Sequence, residues 1–168
     1  EAPAYDEAAV QRAQKLAQKK PFSGCPGMRA KQFQRSTAPA AGAACPSQLS
    51  QWPVQIKLAG VMAPCFDDAD LLIAADCTAY AYGNFHEKFI RGRITLIGCP
   101  KLDAVDYAEK LTAIFAAHSI RSVTVARMEV PCCGGIEQAV QRAIAASGKA
   151  ISCHVTVIGT DGTIQEER

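Results

Sequence analysis

The stretch DLLIAADC, residues 70–77, decides the fold. Six mostly apolar residues bounded by polar ones are typical of a strand that is buried on both faces of a parallel sheet. Similar runs alternate with helical patterns through the region 51–168, which predicts an α/β fold: a parallel, flavodoxin- or Rossmann-like sheet flanked by helices. The predicted strands are 54–58, 70–75, 93–98, 122–127 and 154–159, and the predicted helical segments are 85–90, 104–118 and 135–147.

Cysteine follows three of these strands. Cys77 comes after the strand 70–75, Cys99 follows the next one, and the pair Cys132-Cys133 follows the strand 122–127 after a short connection. The carboxyl ends of parallel strands gather along one edge of a sheet, where such proteins place their sites. The sequence therefore predicts that these four thiols converge.

Composition narrows the function classes. The chain has 168 residues, 49% hydrophobic and 20% charged, with a net charge of +2. This balance is that of an ordinary globular protein, without the basic footprint of a nucleic-acid or membrane-surface binder. No apolar run reaches the roughly 18 residues of a membrane span, and no export signal is visible. We expect a cytoplasmic protein, in which eight cysteines indicate metal binding or redox chemistry rather than disulfides.

The first fifty residues differ from the rest. Residues 6–20 are predicted to form a helix with a thin apolar face. Residues 21–50 are rich in Pro, Gly, Ala and Ser and predict an irregular arm, which contains Cys25 and Cys45. The predicted organisation is therefore an N-terminal helix and arm over 1–50 and one α/β domain over 51–168.

The segment CCGG, residues 132–135, is the most specific local element. Its glycines allow a sharp turn into the next helix, so both thiols are expected at a helix N-terminus, where the dipole favours thiolate. Cys99 is followed by Pro100, which stiffens its turn. The absence of any Cys-x-x-Cys argues against a zinc ribbon or a thioredoxin motif. Each cysteine alone is as well explained as a small apolar residue, and only their convergence favours a shared site.

Other residues attract weaker predictions. Cys45, Cys65 and Cys153 are not expected to be ligands, since none follows the exit of a strand. The tyrosines in the stretch 78–82 are expected to shield the site from water. His118 is expected to complement a helix C-terminus.

Four segments carry a resemblance to a known family. They are SQLSQWPVQ at 47–55, ADLLIAADC at 69–77, LIGCPKLD at 96–103 and RMEVPCCGG at 127–135. With these segments the chain resembles the C-terminal domain of ferredoxin-like iron–sulfur proteins of anaerobic bacteria, and GCPG at 24–27 looks like that family's upstream turn. The resemblance implies a [4Fe–4S] cluster and, in front of the domain, a ferredoxin module. Tandem cysteines with a distant Cys-Pro also bind such clusters in small subunits of complex I and nickel–iron hydrogenases, which serves as an analogy only.

Together these features predict an iron–sulfur protein of electron transfer or redox sensing. The predicted ligands are Cys77, Cys99, Cys132 and Cys133, with Cys25 in reserve on the arm. The expected partner is a redox protein or a fused ferredoxin module, and a homodimer stays open. Two alternatives also stay open: a redox enzyme that uses the cluster or a Cys132–Cys133 thiol pair, and a zinc-binding structural module.

Overall fold

A computed structural model describes residues 45–168 of the chain. These residues all belong to the unit Gln32–Arg168. The helix predicted over 6–20, the arm up to residue 44 and Cys25 lie outside the described residues. The expected division of the chain at residue 51 therefore stays a prediction.

A five-stranded sheet forms the centre of the described region. Its strands, in chain order, are β1 (Asp70–Ala75), β2 (Ile94–Gly98), β3 (Ser122–Met128), β4 (Ser152–Ile158) and β5 (Ile164–Glu167). They lie in the order β2-β1-β3-β4-β5. The first four are parallel, and β5 pairs antiparallel with β4. The predicted parallel α/β fold is confirmed, with the strand order of a doubly wound sheet that reverses direction at β1.

Helices cover the two faces of the sheet unequally. The helices are α1 (Thr78–Ala81), a π-helix (His86–Ile90), α2 (Tyr107–Ala117) and α3 (Gly134–Ser147), with short 3₁₀ turns at Pro64–Phe66 and Pro131–Cys133. Both long helices pack on the face that carries Leu71 and Ile73, which are fully buried. The opposite face carries Leu72 and is covered by aromatic residues from the β1–β2 connection. No helix in the described part of the chain is long and apolar enough to cross a membrane.

The prediction of a strand over 54–58 is wrong. Gln55 makes a single parallel bridge to Ile97. Its carbonyl then accepts the N–H groups of Leu58 and Ala59 at 2.9 and 3.0 Å, so the chain turns away from the sheet. Of the residues that suggested an alternating strand, Ile56 is 1% exposed and Leu58 is 69% exposed.

Other bounds also differ from the sequence expectation; β4, for example, runs from Ser152 to Ile158 instead of over 154–159. The helix predicted from residue 104 begins at Tyr107, because Asp106 caps it by accepting the Ala108 N–H at 3.0 Å. Val105 therefore lies before the helix and is 46% exposed. The antiparallel strand β5 (Ile164–Glu167) is not among the predicted strands.

Candidate functional site

The topology brings the three cysteine-bearing strand ends side by side. Cys77 lies two residues after β1, Cys99 follows β2 directly, and Cys132 and Cys133 lie in the 3₁₀ turn after β3. Since β1 pairs with β2 on one side and with β3 on the other, all three ends share one edge of the sheet. The strand order reverses between β1 and β3, and doubly wound folds bind ligands at the carboxyl end of such a switch point.

Close packing joins two of the cysteine turns. Gly135, in the first turn of α3, lies so near the Cys99 turn that a Cβ at this position would be 3.1 Å from Pro100 Cβ. A larger side chain would push the turn of Cys99 away from that of Cys132 and Cys133. The glycine predicted to permit a sharp turn thus also permits close approach of two predicted ligand turns.

The thiols influence one another electrostatically. Burial raises the pKa of the Cys77 thiol, and the neighbouring Cys99, Asp76 and Cys132 raise it further. Burial also raises the pKa of Cys133 to about 11, with added contributions from Cys132 and Cys77. The thiols of Cys77 and Cys133 are thus close enough to the neighbouring cysteines for those cysteines to raise their pKa values.

The pKa of Cys133 is raised, whereas the sequence predicted a lowered value. A helix N-terminus was expected to favour thiolate, and Cys133 is indeed the residue that precedes α3. However, Cys133 is only 6% exposed, and the loss of hydration on burial outweighs the hydrogen bond with the Met128 backbone, which acts to lower its pKa. At neutral pH the free thiol of Cys133 is therefore protonated.

Apolar residues surround one side of the group. Cys132 and Cys133 pack in a cluster that includes Leu72, Phe85 and Phe89. Tyr82 adds an edge contact to Phe89, with ring centroids 5.4 Å apart. Tyr80, expected to shield the site, is instead 93% exposed. Cys77 is exposed. The four cysteine side chains therefore have an apolar side at Cys132 and Cys133 and a solvent-exposed side at Cys77.

Three polar side chains that are not among the predicted ligands lie next to Cys77 and Cys99: Asp76, Asp103 and Tyr107. Burial and the nearby Asp103 raise the pKa of Asp76, and its Oδ1 atom is buried without a hydrogen-bond partner. Tyr107 donates to Asp103 Oδ2 at 2.5 Å. The only sequence signal for this pair is the four-residue spacing of Asp103 and Tyr107, which is common in helices.

The remaining described cysteines lie elsewhere. Cys45 is exposed, and Cys65 sits in the 3₁₀ turn before β1. Cys153 pairs in register with Val123, near the start of β4, and so lies at the opposite edge of the sheet. That edge matches the sequence expectation for Cys153.

His118 makes tertiary contacts in addition to its expected interaction with the C-terminus of a helix. It follows α2, is 5% exposed, and lies 2.6 Å from Asp67 Oδ1 through Nδ1 and 2.8 Å from the Val61 carbonyl through Nε2. Its ring also makes an edge contact with Phe66. His118 therefore fastens the segment before β1 to the end of α2.

The donor set was tested against the two kinds of metal centre that the sequence suggests. Among the described residues, no three His, Cys, Asp or Glu side chains are arranged around one point as a single metal ion requires. Four grouped thiols beside an apolar wall have the soft-donor chemistry that an iron–sulfur cluster requires.

Comparison with known proteins agrees with the architecture. The sequence pattern of the Rossmann-like domain family matches residues 63–168. The chain belongs to this Rossmann-like domain family. An uncharacterized protein of Archaeoglobus fulgidus is 28% identical over 118 residues, which cover 70% of this chain and 84% of that protein. No solved structure matches this Rossmann-like chain.

Proposed function

We propose that this Rossmann-like chain binds a [4Fe–4S] cluster through Cys77, Cys99, Cys132 and Cys133 and acts in electron transfer or redox sensing. The observation that carries the proposal is the meeting of four thiols from three strand ends at the switch point of the sheet. Soft thiolates select iron–sulfur clusters, zinc or copper(I). When bound, the cluster would supply one-electron redox chemistry.

Metal binding would change the protonation of the thiols. Burial raises the pKa of Cys77 and raises that of Cys133 to about 11, which favours the thiol form of both in the free protein. Cys77 and Cys133 would hold a metal centre as thiolates and would release their protons when it binds. The apolar wall behind Cys132 and Cys133 would exclude water, and the exposed side at Cys77 would let an electron partner approach.

The alternatives are less well supported. A redox enzyme built on a Cys132–Cys133 thiol pair would need one of the two as a thiolate, and the pKa of Cys133, raised to about 11, leaves that part to Cys132. A structural zinc module needs three or four donors around one point, which the described residues do not offer. The family resemblance of the CCGG and GCPKLD segments also favours the cluster, with a redox protein or a fused ferredoxin module as partner and Cys25 as a reserve ligand.

The test is anaerobic purification of the whole chain, followed by iron, zinc and sulfide analysis and a visible spectrum. We expect iron and acid-labile sulfide in wild-type protein, and loss of both in Cys99→Ser and Cys132→Ser. Cys65→Ser and Cys153→Ser are the matched controls and should keep the full content. Stoichiometric zinc without sulfide would contradict the cluster and favour the zinc module. Metal-free protein that forms a reversible disulfide would favour the thiol pair.

A further inference from the structure

Tyr107 lies against the strand end that carries Cys99. It is 2% exposed, and its hydroxyl donates to Asp103 Oδ2 at 2.5 Å. A Cβ on Gly98, the residue before Cys99, would lie 2.5 Å from that hydroxyl oxygen. The absence of a side chain at Gly98 thus lets the phenol occupy the space beside the end of β2.

The backbone of Cys99 is engaged on both its carbonyl and its amide. The carbonyl accepts the N–H groups of Leu102 and Asp103 at 3.1 and 2.9 Å. The hydrogen bond from Tyr107 is the largest cause of the lowered pKa of Asp103, and the Cys99 backbone adds to it.

We propose that Tyr107 and Asp103 are positioning residues that fix Cys99 and set the reduction potential of the cluster, an inference that rests on the proposed function. Hydrogen-bonded partners behind a ligand orient it and strengthen metal binding. The charge and hydrogen bonds around a cluster set its potential. Asp103 supplies the charge, and Tyr107 together with Lys57, whose Nζ lies 3.5 Å from Asp103 Oδ1, neutralises part of it.

The two residues should act on the potential with opposite signs. Asp103→Asn removes a negative charge, so the more negative, reduced cluster is favoured and the potential rises. Tyr107→Phe removes a donor from the carboxylate and leaves more of its charge uncompensated, so the potential falls. A purely structural role has no reason to separate the two variants in this way.

The experiment uses the full chain, purified anaerobically and loaded with its cluster. Potentials are measured by mediated titration with dithionite, and iron release is followed with a chelator. The matched controls are Asp106→Asn, a carboxylate on the same loop that binds Ala108 N–H and Arg142, and Tyr80→Phe, which is exposed. We expect opposite shifts of potential and about 10-fold faster iron release in the two site variants, with wild-type values in the controls.

The outcomes separate the two proposals. Loaded wild-type protein whose site variants keep its potential, or shift in the same direction, would overturn the role of Tyr107 and Asp103 alone. Wild-type protein without iron and sulfide would overturn the cluster function, and this inference with it.

Discussion

Replacing Gly98 with alanine should destabilise the fold strongly, although the change adds one methyl group. The new Cβ would lie 2.5 Å from Tyr107 Oη and 2.7 Å from Cζ. Tyr107 cannot move freely, because its ring is buried in the core and its hydroxyl is bonded to Asp103. Either the ring shifts by about 1 Å or the end of β2 moves, since closely packed interiors have no spare volume.

Three contributions set the change in the free energy of unfolding that Gly98→Ala causes. Overpacking a buried site costs about 1–3 kcal/mol. Displacing the hydroxyl weakens a hydrogen bond to a charged group, a loss of about 1.5–3 kcal/mol. Alanine recovers about 0.5–1 kcal/mol, because glycine loses more conformational freedom on folding. The net loss is about 3 kcal/mol, or about 9 °C in melting temperature for a chain of this size.

Urea unfolding of the metal-free protein, kept reduced and followed by circular dichroism, measures this change. Gly60→Ala is the matched control, since nothing lies within 4 Å of the Cβ it would add, and its free energy of unfolding should stay within about 0.5 kcal/mol of wild type. The double variant with Tyr107→Phe should be more stable than the sum of the single effects predicts. A Gly98→Ala protein as stable as Gly60→Ala would refute the close packing of Tyr107 against β2.

Three further predictions concern the ion pairs, the histidine and the site. Burial acts to raise the pKa of Glu137, but hydrogen bonds from Arg168 and Arg127, both 2.7 Å long, outweigh it and hold the pKa below its ordinary value. A lowered carboxyl pKa contributes stability above the unfolded value, which is lost as the pH falls through the folded value. In urea titrations the free energy of unfolding of Glu137→Gln should therefore be about 2 kcal/mol lower than that of wild type at neutral pH. It should also fall less steeply than that of wild type as the pH is lowered, and an equal decrease in both proteins would contradict this. His118→Ala should cost about 2–4 kcal/mol in the same assay, against little change for the exposed His154→Ala. By calorimetry, cluster-loaded protein should melt above the metal-free form, because metal binding is partly folding energy; equal melting temperatures would show that the site does not hold the strand ends together.

The central strands could be predicted because their signal is local. Residues 70–75 are almost wholly apolar, and the observed strand has the predicted bounds. The convergence of the thiols followed from one topological rule, that parallel strands end at the same edge. By contrast, β5 has a single apolar residue and is mostly exposed, so its pairing depends on β4 rather than on its own sequence.

The chemistry of the site was harder to predict than its location. The raised pKa of Cys133 results from burial under residues distant in sequence, which no local motif reports. The contact of Tyr107 with Gly98 depends on how α2 packs against β2. The alternation at 54–58 was misleading because Ile56 is buried in the core while the chain beside it turns.

The arrangement of the strands also constrains the order of events as the chain is made. Pairing of β1 with β2 can set Cys77 beside Cys99 early, but the other two thiols arrive only when β3 adds to the far side of β1. Such non-local closures are slow steps in folding. The four thiols thus come together only once β3 has joined the sheet, and the cluster of the proposed function would have to enter a chain that already holds these three strands.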